Sequence, residues 1–172
     1  MLIQNTGIHS IKKLKGFTLV ELIVTLVIVG IILTAGIPGL QSLLGNVSLN
    51  SNADKLVNSL AYARGEAVAR VENVSVTTTA SGWIVYIDTN TNCTRDTAVA
   101  AVGATPAVAE EETLRVVDIS ADNVTVTPKC VAFNGLGENR SGAVDTFTVD
   151  SLTAAASAAT VRVSVTGYTS ID

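Results

Sequence analysis

The run from Phe17 to Pro38 constrains this chain more than any other feature: 22 consecutive residues whose single charge is Glu21. At about 1.5 Å rise per residue it makes a helix about 33 Å long, close to the hydrocarbon thickness of a bilayer. Lys12, Lys13 and Lys15 precede the run, and the next basic residue after it is Lys55. The positive-inside rule therefore keeps residues 1–16 cytoplasmic and sends the rest of the chain outward. A secretory signal has a shorter apolar core and a small-residue cleavage site, which "AGIPGL" matches poorly. A cut at Gly16, ahead of the run, keeps the anchor.

Charge and composition then exclude several function classes. Of the 11 basic side chains, three are the lysines before Gly16, which leaves eight against 15 acidic side chains from Phe17 onward. Such an acidic domain stays soluble and is poorly suited to a broad grip on phosphate backbones. His9, the one histidine, lies in the segment that a cut at Gly16 would remove, and such a cut would exclude His-based acid–base catalysis, triads and zinc sites of the usual composition. A Ser-Lys dyad would need Lys55 or Lys129, and neither sits in a nucleophile motif. Neither catalysis nor a cofactor is expected.

Past Pro38 the pattern turns amphipathic. Leu49, Ala53, Leu56, Leu60, Ala63 and Ala67 recur in steps of four and three, which places them on one helical stripe with Asp54, Lys55, Asn58, Arg64 and Glu66 largely off it. The rest reads as short β-rich bursts: "NVSVTTT" (73–79), "GWIVYID" (82–88), "LRVVDIS" (114–120), "NVTVTPKCVAF" (123–133), "DTFTVDS" (145–151) and "TVRVSVTG" (160–167). In the last of these, Val161, Val163 and Val165 alternate onto one face. One long helix followed by strands predicts an α+β fold, the helix laid on an antiparallel β-rich head.

The stretch "KGFTLVELIVTLVIVGIILTAGIP" closely resembles the class III leader and N-terminal helix of type IV pilins and type II secretion pseudopilins, in which a prepilin peptidase cuts between Gly and Phe. The resemblance implies a leader over residues 1–16, a mature N-terminus at Phe17 that is usually N-methylated, and a transmembrane and filament-core helix over 17–38. An amphipathic second half over 39–72 and a periplasmic head over 73–172 follow. It also gives Glu21 a role. A carboxylate in a low-dielectric medium costs several kcal/mol unless paired, and the Phe17 ammonium of an adjacent subunit is a suitable partner during assembly. The alternative is that Glu21 snorkels or bonds its own Phe17 amine one turn away. Pro38, with Gly30, Gly36 and Gly39, predicts a kink or a locally melted segment; the alternative is a helix boundary near Ile37.

Residues 40–72 sharpen the resemblance to the GspH/FimT branch, whose helix ends in a pattern similar to "L..AR.EAV.R", met here by Leu60, Ala63, Arg64, Glu66, Ala67, Val68 and Arg70. "GWIVYID" resembles the branch's "GW.V..D" strand, and Phe133 and Gly135 fit its "F...G" element. The implied function is a minor pilin of a type IV pilus, or an H-type pseudopilin of type II secretion. Its implied partners are prepilin peptidase, other minor pilins or pseudopilins, the major pilin, the inner-membrane assembly platform and membrane lipid. Arg64, Glu66 and Arg70 are read as a solvated face rather than contact residues.

Cys93 and Cys130 are the two cysteines, and both fall in the exported part, where oxidation favours a disulfide closing about 38 residues over two separate thiols. "DTNTNCTRD" resembles a calcium loop only weakly, because Cys93 replaces its glycine and Val99 its bidentate acid, so a polar strand connection is expected. The alanine-rich segments 97–112 and 153–160 read as loop insertions, with Glu110 to Glu112 as a solvated charge run. Some FimT-like proteins bind DNA through a tail resembling GRxR. Here Gly167 fits, but Tyr168 and Ser170 stand in place of the arginines and Asp172 adds negative charge. Arg140 and Arg162 are the remaining candidates for a DNA contact, and a capped C-terminal strand is the favoured reading.

Overall fold

A computed structural model of the chain describes residues 16–97, 110–152 and 157–172. It divides into two units, Met1–Gly39 and Leu40–Asp172. The leader lysines and His9, Val99 of the calcium-like loop, most of the alanine-rich segment 97–112 and half of the segment 153–160 lie outside the described residues. One helix, α1 (Leu19–Arg70), includes residues of both units and stays helical through Pro38, so the alternative of a helix boundary near Ile37 is corrected.

In the first unit, α1 starts where the sequence supplies a cap. Gly16, Phe17 and Thr18 are non-helical, and the Thr18 hydroxyl accepts a hydrogen bond from the Glu21 backbone N–H at 3.2 Å. This N-cap satisfies one of the four donors that a helix start leaves unpaired. Leu19 to Leu33 expose every large apolar side chain they carry.

In the second unit the helical stripe is buried as the 4-3-4-3-4 spacing predicts: Leu49, Ala53, Leu56, Leu60, Ala63 and Ala67 are all in the core. The helix ends in a Schellman motif, with the Glu72 N–H reaching the Ala67 carbonyl at 3.2 Å. That motif needs a left-handed residue, and Val71 takes the position with φ 58° although it is β-branched, a strained choice where glycine is usual.

The stripe packs on two antiparallel sheets. The first is built from β1 (Val74–Thr79), β2 (Gly82–Ile87), β3 (Thr113–Asp118) and, after β4 (Val124–Val126), β5 (Cys130–Phe133); its strand order is β3-β2-β1-β5. The second joins β4 to β6 (Asp145–Ser151), β7 (Ala159–Val163) and β8 (Thr169–Ile171), in the order β4-β6-β7-β8. Trp83, Phe133 and Phe147 fill the space between the sheets' valines and the helix. Gly82 allows β3 to close on β2, since a Cβ there would lie 2.1 Å from the Val117 carbonyl oxygen.

Two strand readings are corrected. "NVTVTPKCVAF" is two strands in different sheets rather than one. Pro128 has no N–H for a ladder, and the Thr78 hydroxyl splices the break by donating to the Thr127 carbonyl and accepting from the Lys129 N–H. "TVRVSVTG" stops being a strand at Val163. Ser164 and Tyr168 close a turn in which Gly167 sits at φ 77°, so Val161 and Val163 are buried while Val165 is 44% exposed. The tail then folds back as β8 against β7, with Val161 opposite Ile171.

Candidate functional site

Phe17, the first residue after the expected cut, is exposed and directly precedes the Thr18 cap, so the Gly16–Phe17 bond lies outside the helix. Glu21 occupies the first helical turn, where a carboxylate complements the partial positive charge of the helix start. Among the described residues, α1 is the helix long and apolar enough to cross a membrane. Its uncovered leucines, isoleucines and valines form a surface that water hydrates at high cost, so lipid or other apolar helices must cover it.

The head is organised by buried carboxylates, the first of them in the expected polar strand connection after β2. Asp88 is fully buried; it accepts hydrogen bonds from the Ser75 hydroxyl at 2.7 Å and from the backbone N–H groups of Asn92 and Cys93, both at 3.1 Å. These bonds fold "DTNTNC" into a tight connection that delivers Cys93 to Cys130, and the two form a disulfide with their Cα atoms 5.9 Å apart. Among the described residues, no group of three or more His, Cys, Asp or Glu could hold a metal.

Glu111 corrects the reading of residues 110–112 as a solvated run. It is 2% exposed and accepts from the Thr89 N–H at 2.9 Å and the Asp96 N–H at 3.1 Å, while Glu110 and Glu112 on either side pair with Arg95 and Arg70 at the surface.

At the helix end Arg64 differs from a solvated face, whereas Arg70 keeps to one. The Arg64 Nε donates to the Gly137 carbonyl at 2.9 Å, and Gly167 packs so closely that a Cβ on it would lie 2.1 Å from the same oxygen. Arg64 therefore ties α1 to the 134–138 turn and to the β7–β8 turn. Arg70 bridges Glu66 at 2.8 Å and Glu112 at 3.2 Å.

The two DNA candidates sit in different settings. Arg162 pairs with Asp172 at 3.0 Å, so the tail acid neutralises it. Arg140 is exposed, and its backbone N–H is held by the Ala132 carbonyl at 2.8 Å. Lys55, Arg70, Arg95 and Lys129 are likewise ion-paired, while Arg64 bonds a backbone carbonyl and Arg115 lies over the Tyr62 ring at 5.6 Å.

Asp145 is the hub of the loop before β6. Its carboxylate pairs with Lys129 at 2.7 Å and accepts from Asn139 at 2.8 Å and Ser141 at 2.9 Å. Burial alone would raise its pKa, but the bonds from Asn139, Lys129 and Ser141 and the Lys129 charge outweigh burial and leave it below the ordinary carboxylate value. A depressed folded pKa stabilises the head above the unfolded value of about 3.9, and the contribution fades as pH falls below that value. Asp145→Asn is therefore expected to cost about 2 kcal/mol at pH 7 and to flatten the loss of stability between about pH 5 and pH 2. Denaturant midpoints of both forms across that range check it; parallel curves would remove Asp145 from the acid response.

The family described as Type II transport protein GspH matches residues 52–167, and the Prokaryotic N-terminal methylation motif matches residues 11–37. A search of curated protein sequences finds no match. Two crystal forms of the type IV minor pilin FimU of Pseudomonas aeruginosa share the fold. The first has a TM-score of 0.51 at 19% identity over 72% of this chain and 87% of that one; the second, 0.50 at 18% over 72% and 92%. The family and the fold are those of a structural subunit rather than an enzyme, and the methylation motif is that of chains processed by prepilin peptidase and assembled with other pilins. The chain belongs to the GspH family: it is a minor pilin or pseudopilin whose N-terminal apolar helix carries the methylation motif.

Proposed function

We propose that this subunit is held in the bacterial inner membrane by residues 17–38 with its head in the periplasm, is cut between Gly16 and Phe17, and then enters a type IV pilus-type filament as a minor component of the tip or initiation complex. The observation that carries this reading is the unburied apolar surface from Leu19 to Leu33 in a helix that begins two residues after Phe17. A membrane can cover that surface before assembly, and the helices of other subunits can cover it afterwards. Glu21 then docks on a neighbour's Phe17 ammonium, and Pro38 is where α1 bends or unwinds as it enters the filament. The assembly platform, the major pilin and other minor pilins are the partners this route requires.

The family description favours a second reading, an H-type pseudopilin acting in protein export by the same parts. DNA uptake through Arg140 and Arg162 is the least supported, because Asp172 occupies Arg162.

The first test is the mature N-terminus of the chain in its own cells. Mass spectrometry should find methylated Phe17, and the processed form should appear in the filament fraction sheared from the cell surface. A start other than Phe17 would sink the proposal. Loss of piliation on deletion, with secretion intact, separates the pilus from the export reading.

A further inference from the structure

The start of β6 gathers an amine, a carboxylate and an amide at one point. Asp145 holds the Lys129 Nζ on Oδ1 at 2.7 Å and accepts from the Asn139 Nδ2 on Oδ2 at 2.8 Å. The amine and the amide are therefore separated by no more than one carboxylate and its two hydrogen bonds. An ion pair alone would need no amide on the second oxygen, and a lysine, an acid and an amide together can do chemistry that the pair cannot.

Each member is fixed in place. The Lys129 carbonyl accepts from the Thr78 N–H at 2.8 Å, and the Lys129 N–H donates to the Thr78 hydroxyl at 2.8 Å, which anchors the residue just ahead of β5. Asn139 bridges Phe133 and gives its own N–H to the Val165 carbonyl at 2.9 Å. It is 3% exposed; its Nδ2 also donates to the Ala143 carbonyl at 3.0 Å, and its Oδ1 accepts from the Ser141 N–H at 3.0 Å. The Ser141 hydroxyl completes the set by donating to the Asp145 Oδ2 at 2.9 Å. An amide oxygen held by a backbone N–H is polarised toward attack, as in an oxyanion hole, and groups locked side by side react as if highly concentrated.

We infer that Lys129 and Asn139 become joined by an amide bond between Nζ and Cγ, with Asp145 carrying the protons, a one-time modification of the chain by itself. Asp145 takes a proton from the Lys129 ammonium. The freed lone pair of Nζ forms the bond to the Asn139 Cγ while the Ser141 N–H meets the charge that develops on Oδ1. The bond from Cγ to Nδ2 then breaks. Nδ2 receives, through Asp145, one of the two protons that Nζ gives up and leaves as ammonia; the second proton stays on Asp145 until ammonia or water removes it. No oxidant, reductant or outside reactant enters.

The surroundings set rate and direction. Asp145 is held below the ordinary carboxylate value, so the first proton transfer runs uphill and the bond forms slowly. It forms one way, because the Lys129 side chain is 36% exposed, which leaves ammonia a route into dilute solution. Cys130 follows Lys129, so adjacent residues carry two cross-links, of which the disulfide alone yields to a thiol reductant. The acid response argued for Asp145 includes the Lys129 charge and belongs to the chain before the bond forms.

The test is peptide mass spectrometry on the full chain extracted from its own cells, reduced, alkylated and digested with trypsin, which cannot cut after a lysine whose amine has become an amide. The expected result is loss of the cut after Lys129 and a peptide carrying both Lys129 and Asn139 that is lighter by one ammonia, with fragments that place the link between them. A cut after Lys129 in nearly all molecules would overturn the inference. Lys129→Arg keeps a positive charge for Asp145 but has no amine to condense, so Asn139 should keep its ammonia. Ammonia lost there all the same would mean ring closure of Asn139 on its own backbone and would also overturn it. Asp145→Ala leaves both reacting groups present and should slow linkage about a hundredfold or more, and linkage at the wild-type level would remove Asp145 from the reaction. Circular dichroism shows whether Asp145→Ala is folded; if it is not, the wild-type peptide and Lys129→Arg still decide.

Discussion

Serine at both Cys93 and Cys130 is expected to lower the stability of the head by about 4 kcal/mol, and its thermal midpoint by about 15 °C. The bridge spans a sequence separation of 37, and a loop of that size carries most of its stabilisation as restricted freedom of the unfolded chain. Native packing should survive the change. Asp88 still gathers the Asn92 and Cys93 N–H groups, Glu111 still gathers those of Thr89 and Asp96, and Cys130 still begins a strand paired with β1. The double variant should therefore keep its circular dichroism while its denaturant midpoint falls. A shift below about 1 kcal/mol would mean that the unfolded chain is already compact across this loop or that the bridge strains the native state.

The contrast between Glu111 and the helix stripe explains how much the sequence could reveal. Leu49 to Ala67 is legible because burial repeats with the helical period, so six residues testify to one face. The valines of β7 and the only two cysteines are legible for similar reasons, the first by alternation and the second by scarcity. Glu111 has no such signal. Between Glu110 and Glu112 it reads as one of three solvated acids, yet its partners are backbone N–H groups 15 and 22 residues earlier, and backbone donors leave no trace in composition. Arg64 is hidden in the same way, since its acceptor is the carbonyl of Gly137, 73 residues on. β8 is missed because three residues, "TSI", with one apolar side chain cannot show a period. Pro128 does leave a trace: a proline inside an apparent strand argues for a break, and two sheets meet at it.

Replacing Glu21 should abolish incorporation into filaments without affecting the cut at Phe17, and the choice of replacement separates two physical roles. Thr18 and Glu21 have the spacing of a capping box, and the Glu21 N–H already bonds the Thr18 hydroxyl. If Glu21 only completes its own helix cap, Glu21→Gln preserves the function, because glutamine serves a capping box as well as glutamate does. A cap is worth about 1 kcal/mol, so even its loss in Glu21→Leu would reduce incorporation only about fivefold. If Glu21 instead pairs with the Phe17 ammonium of a neighbour, glutamine cannot replace it. Breaking an ion pair in a poorly solvated setting costs about 3–5 kcal/mol, which is a loss of about a hundredfold or more. We expect both variants to be cleaved and methylated like the wild type and to be missing from sheared filaments. Glutamine assembling within about fivefold of wild type would assign Glu21 to its own helix, and the docking role would then have to move to another polar group near Phe17.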